Sequence, residues 1–161
     1  TFVGQNYGAG QLKRCRKTLF LCLIEDAVAT AAAIGIVLLS GRFLLSIFNN
    51  DPAVIDLGYV RLVTIFFAYI FSMLYEVMSG YLRGFGISLT PAILTTLGVC
   101  GVRIVWIAAV FPKSRTFETI MTAYPVSLSL TAVLIFIALL IAHPSRRYAS
   151  KFVTQKVTDN N

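Results

Sequence analysis

The chain reads as four long apolar stretches separated by short polar or charged breaks. A helix needs about 20 mostly apolar residues to cross a hydrocarbon core of about 30 Å. Four segments meet that length, at about 18–48, 54–83, 90–111 and 117–143. The last is the cleanest: its 24 residues from 119 to 142 carry no charge, between Glu118 on one side and His143, Pro144, Arg146 and Arg147 on the other. Asn49, Asn50, Asp51 and Pro52, a turn-forming cluster, separate the first two. Both of these exceed what the bilayer requires, which predicts helix ends standing in water or tilted helices. The third is uncharged as far as Arg103, and Pro91 lies close to its start, where a missing N–H costs little. Residues 144–161 remain as a polar tail.

Composition turns these stretches into membrane spans. Hydrophobic residues make up 57% and charged residues 13% of the chain, and the mean hydropathy is +0.79, beyond the range of soluble globular domains. The predicted class is an all-α integral membrane protein with four transmembrane helices. Four spans place the N-terminal segment, the turn between spans two and three, and the tail on one side. Nine cations fall there, Lys13, Arg14, Arg16, Lys17, Arg83, Arg146, Arg147, Lys151 and Lys156, against Arg42, Lys113 and Arg115 on the other side. By the positive-inside rule the nine-cation side is cytoplasmic. The net charge of +7 therefore reads as a topology signal. No basic stripe interleaved with aromatics lies outside the spans, so nucleic acid is not an expected partner.

Metal and disulfide chemistry find little to work with. Cys15, Cys22 and Cys100 have no disulfide or metal spacing, and His143 is the single histidine; the cysteines read as small apolar fillers. Thr1 opens the chain in what looks like a cytoplasmic loop, with no Met and no signal peptide ahead of it, which predicts a fragment of a longer protein.

The polar residues inside the spans carry the candidate chemistry. On span two, Tyr69, Ser72, Glu76, Ser79 and Arg83 recur at spacings of three and four, so they share one helix face. Such a face turns away from lipid, either into a helix contact with Glu76 protonated or hydrogen-bonded to serine, or into a water-filled cavity where Glu76 exchanges a proton or cation. On span one, Glu25 and Asp26 follow Lys17 by eight and nine residues, roughly 12 Å along a helix. Glu76 lies roughly 10 Å from Arg83 by the same measure. The three carboxylates can then share a depth in the cytoplasmic half, where proximity to like charge favours protonation of at least one; the alternative places Glu25 and Asp26 among the headgroups. Ala29, Ala32 and Ala33 form a small-residue stripe suited to close helix approach. Arg61 and Arg103 lie toward the outer side, roughly 13 Å in from the outer loops. They are expected to anchor structure against backbone carbonyls, water or an acid elsewhere in the protein. Pro125 inside span four predicts a kink beside Tyr124, Ser127 and Thr131, and kinked helices with polar faces are a means of building midplane sites in transporters. The glycine-rich GQNYGAG, residues 4–10, reads as a flexible cytoplasmic loop.

These pieces, in this order, resemble the C-terminal half of the multidrug and toxic compound extrusion (MATE) family of membrane transporters. The likeness is carried by GQNYGAG before a basic helix start, by YEVMSGYLRGFGISLTP, by VRIVWIAAVFP and by TAYPVS, which together cover nearly the whole chain. Arg83, Gly84, Gly86 and Pro91 match the family's turn. Glu76 occupies the tenth-helix equivalent, where the family carries functional polar groups. The resemblance implies twelve helices in two six-helix lobes, of which this chain supplies helices nine to twelve, with both of its ends cytoplasmic in the plasma membrane. It implies, further, export of amphipathic, often cationic compounds, driven by inward movement of sodium or protons as the lobes rock. It also implies no cofactor beyond that coupling ion, and membrane lipid and the missing N-terminal lobe as partners.

A lipid-linked saccharide flippase of the same superfamily is the nearest rival and would require cations facing a pyrophosphate, for which Arg61 and Arg103 are the candidates. A small non-transporting scaffold subunit is the alternative from another class. An intramembrane enzyme is disfavoured, because there is no Ser/Lys or His/Asp arrangement and no metal cluster.

Overall fold

The structure is a computed structural model that describes residues 1–144; the expected polar tail, with Arg146, Arg147, Lys151 and Lys156, lies outside the described residues. All regular structure among them is helical: α1 (Phe2–Gly8), α2 (Leu12–Ser46), α3 (Pro52–Gly84), α4 (Leu89–Thr95), α5 (Val102–Ala109) and α6 (Phe117–Ala142). A π-helical stretch, Thr96–Gly101, joins α4 to α5, so Leu89–Ala109 forms one continuous span of 21 residues. Four helices are thus long and apolar enough to cross a membrane.

Local chemistry sets the helix ends. Asp51 caps α3 by accepting from the Ala53 N–H at 2.9 Å, with Pro52 following in the first turn, where its lacking N–H leaves no bond unmade. Thr116 caps α6 through the Thr119 N–H at 3.4 Å, and Glu118 sits in the first turn against the positive end of the helix dipole. The C-terminus of α3 closes in a Schellman turn: the Ile87 N–H reaches Leu82 O at 3.1 Å and the Gly86 N–H reaches Arg83 O at 2.9 Å. Gly86 holds φ at +81°, which explains the second glycine of Arg-Gly-Phe-Gly.

The first glycine of that turn has a packing role. A Cβ on Gly84 would lie 2.7 Å from Val3 Cβ, because α1 lies across the end of α3. Tyr7 and Tyr81 each hold the Phe85 ring at 5.1 Å, and Cys15 donates to Val3 O at 3.5 Å. The segment expected to be a flexible loop is therefore a docked helix. Its glycines give it little intrinsic helicity, so tertiary packing on α2 and α3 makes the difference. Of the cysteines, Cys15 is buried under α1, Cys22 is half-buried and Cys100 is exposed.

The long helices form a row in which α3 separates α2 from α6. On one side of α3, Gly58 and Tyr59 meet Leu45 and Gly41 of α2, and toward the other end Tyr81 packs with Cys15 and Leu19. Each step along α2 is thus matched by a step back along α3. On the opposite side, Ala68, Tyr75 and Met78 of α3 share a core with Leu128, Ala132 and Ile135 of α6. The π stretch packs on α6 in turn, so closely that a Cβ on Gly98 would overlap the Thr131 hydroxyl. Beside the α2–α3 turn Arg42 pairs with Asp56 at 3.0 Å, both well exposed, an arrangement of small energetic weight.

The observed bounds differ from the expected ones chiefly at the start of α2. The basic residues Lys13, Arg14, Arg16 and Lys17 are already helical, and the helix runs 35 residues, roughly 52 Å at 1.5 Å per residue. That is longer than a hydrocarbon core of about 30 Å, and the basic residues occupy the first two turns. The alanine stripe does not form a contact within the described residues, since Ala29, Ala32 and Ala33 are all exposed.

Candidate functional site

The expected polar face of α3 is divided. Ser79 is buried and Ser72 half-buried, whereas Tyr69, Glu76 and Arg83 are exposed on this set of helices. Hydrogen bonds knit the face together along the helix: Arg83 Nε donates to Ser79 O at 3.3 Å and the Ser72 hydroxyl donates to the Tyr75 phenol oxygen at 3.3 Å. Serine therefore reaches a tyrosine, while Glu76 has no hydrogen bond or ion pair among the described residues.

Helix register brings the carboxylates to one depth. Cys22 of α2 and the pair Val77 and Gly80 of α3 line one small cavity. Asp26 follows Cys22 by one helical turn and Glu76 precedes Gly80 by one turn. Because the helices run antiparallel, Asp26 and Glu76 sit on the next turn inward, on the same side of the α2–α3 seam. Asp26 is half-buried, and its Oδ1 accepts from the Thr30 hydroxyl at a long 3.4 Å. Glu25, the neighbouring residue, is exposed on another face of α2. No three His, Cys, Asp or Glu side chains gather into a metal-binding group among the described residues.

The second polar centre lies between the third span and α6. Arg103 Nε donates to the Ser127 hydroxyl at 3.0 Å, and its guanidinium lies 4.3 Å from the centre of the Tyr124 ring, a cation–π geometry. Arg103 thus meets a hydroxyl and an aromatic face among the described residues, where backbone carbonyls, water or an acid elsewhere in the protein were expected. The Ser127 hydroxyl itself donates to Tyr124 O at 3.0 Å, and that of Thr131 to Ser127 O at 2.7 Å. Ser127 and Thr131 are fully buried, Ser127 against Arg103 and Thr131 against Gly98. Pro125 lies inside α6 between these groups; its missing N–H leaves the Met121 carbonyl without the usual helical donor. Arg61 is exposed and has no ion pair or hydrogen bond among the described residues.

Two features were missed at the sequence level. The π-helical stretch Thr96–Gly101 immediately precedes Arg103, and such stretches are frequent at functional sites. Trp106 ties the C-terminal half of α5 to α6 by donating from Nε1 to Thr119 O at 2.8 Å. The glycine pair in TLGVCG was the available signal, since a glycine inside an apolar helix often marks close approach.

Four membrane-length helices with carboxylates and arginines inside them define a multi-pass membrane protein with internal polar groups, the pattern of membrane transport proteins. A family model described as MatE matches residues 1–108, and the chain belongs to this MatE family of transporters. No curated protein and no solved structure matches the chain.

Proposed function

We propose that this segment is the C-terminal part of a cation-coupled antiporter that exports amphipathic, mostly cationic organic compounds. In this reading it supplies four helices of a twelve-helix, two-lobed protein in the plasma membrane, with both ends of the segment cytoplasmic. The observation that supports it is the α2–α3 seam, where Asp26 and Glu76 each lie inside an apolar span, one turn from residues that line a common cavity, and neither is in an ion pair among the described residues. Carboxylates inside membrane spans are costly and commonly line ion or proton pathways. An ion drives transport only if it binds the inward- and outward-facing states with different affinity, and a seam between two long helices is a place where such a difference can arise. Tyr69, Ser72 and Arg83 border the same flank of α3 and serve the pathway beside it. Arg103, engaged with Ser127 and Tyr124, acts as a structural anchor between the third and fourth spans.

In the full-length protein, Glu76→Gln is expected to abolish ion-driven efflux with expression intact, and Glu76→Asp to retain part of it. Efflux of a fluorescent cation from energised cells measures both. Undiminished transport by Glu76→Gln would remove Glu76 from the coupling site. Loss of translocation of a lipid-linked saccharide, with drug efflux untouched, would favour the flippase.

A further inference from the structure

At the cation-rich end of the helix row, α2 and α6 stand apart on either side of α3 and leave a groove of about 510 Å³, within the roughly 300–1,000 Å³ of small-ligand sites. Tyr81 of α3 forms its floor. Arg16 and Lys17 stand at its rim, one turn beyond Phe20, and Leu23 and Leu140 continue the wall toward the membrane interior. Both cations are exposed. The groove thus runs from two adjacent positive charges into an apolar trough, in the direction in which a lipid runs from headgroup to acyl chain.

We propose that this groove binds one anionic phospholipid, its phosphate on Arg16 and Lys17 and one acyl chain along Phe20, Leu23 and Leu140. Charge argues against the chain's own tail as occupant. The sequence after Pro144, itself a lining residue, carries Arg146, Arg147, Lys151 and Lys156 against the single acid Asp159, and so repels the rim. A zwitterionic lipid offers the same chains without net charge. An anionic headgroup matches both parts of the groove, as basic pockets between membrane helices on the cytoplasmic side do in general. His143, the residue that ends α6, also lies in the groove lining.

Native mass spectrometry of the full-length protein, exchanged into detergent with phosphatidylglycerol or phosphatidylethanolamine, tests this. Phosphatidylglycerol is expected to remain bound and phosphatidylethanolamine to wash off. A basic residue near an anionic headgroup is worth roughly fivefold in binding, so Arg16→Gln with Lys17→Gln should lower retention by about 10- to 25-fold. Lys13→Gln with Arg14→Gln removes the same charge from the same helix outside the groove and should change it less than threefold. Leu23→Trp, which fills the trough and keeps every cation, should also displace the lipid, and covers the case in which the double variant fails to fold. Equal losses from both charge pairs, indifference to Leu23→Trp, or equal retention of the two lipids would overturn the proposal.

Discussion

At Gly98 the third span approaches α6 so closely that there is no room for a methyl group beside Thr131. Added atoms at such a contact typically cost about 1–3 kcal/mol through forced displacement. Gly101, in the same π stretch, has open space around it, and alanine there gains up to about 1 kcal/mol of helix propensity. Gly98→Ala should therefore lower the melting temperature of the purified protein by several degrees, and Gly101→Ala should leave it unchanged or raise it. Thermal unfolding followed by tryptophan emission reads the difference, since Trp106 joins the same third span to α6 at Thr119. Arg103 belongs to the same scale. Its intramembrane charge was legible from the sequence, but its partners were not, because they depend on how the third span docks on α6, at contacts such as Gly98 with Thr131, which apolar periodicity does not reveal.

Among the elements, α1 shows how packing overrides propensity. Nothing in its seven residues predicts a stable helix, since a segment of that length is marginal in water; contacts at Gly84, Phe85 and Cys15 hold it. Gly84→Val should unseat α1 and uncover Cys15, which is otherwise fully buried. With Cys22 and Cys100 replaced, the rate of Cys15 alkylation is expected to rise at least tenfold in that variant, and an unchanged rate would show that α1 can shift without leaving. The long helices present the opposite case. Their existence was legible because the bilayer admits few alternatives to about 20 apolar residues in a helix, and the α3 turn because Gly86 is needed at a left-handed position. Their ends were less so: Lys13 to Lys17 read as a boundary, yet lie inside α2, since a helix can continue past the hydrocarbon into water.

Across the whole molecule, α3 mediates between α2 and α6, and its two packed sides leave separate flanks. One carries Tyr69, Glu76 and Arg83; the other carries Phe67 and Ile70, both exposed and apolar. The depth shared by Asp26 and Glu76 was legible in the sequence, but their place on one side of the α2–α3 seam was not, because register across an antiparallel seam is fixed by contacts such as Gly41 with Tyr59, far from the acids themselves. The proposed ion pathway depends on that placement and on water reaching it in the assembled protein. Cysteine accessibility tests this most directly. In the full-length protein freed of Cys15, Cys22 and Cys100, single cysteines at positions 72 and 76 should react with a small membrane-impermeant maleimide, more slowly when substrate is present. Cysteines at positions 67 and 70 should stay silent. Labelling at 67 and 70 equal to that at 72 and 76, or silence at all four, would contradict an aqueous pathway along this flank of α3.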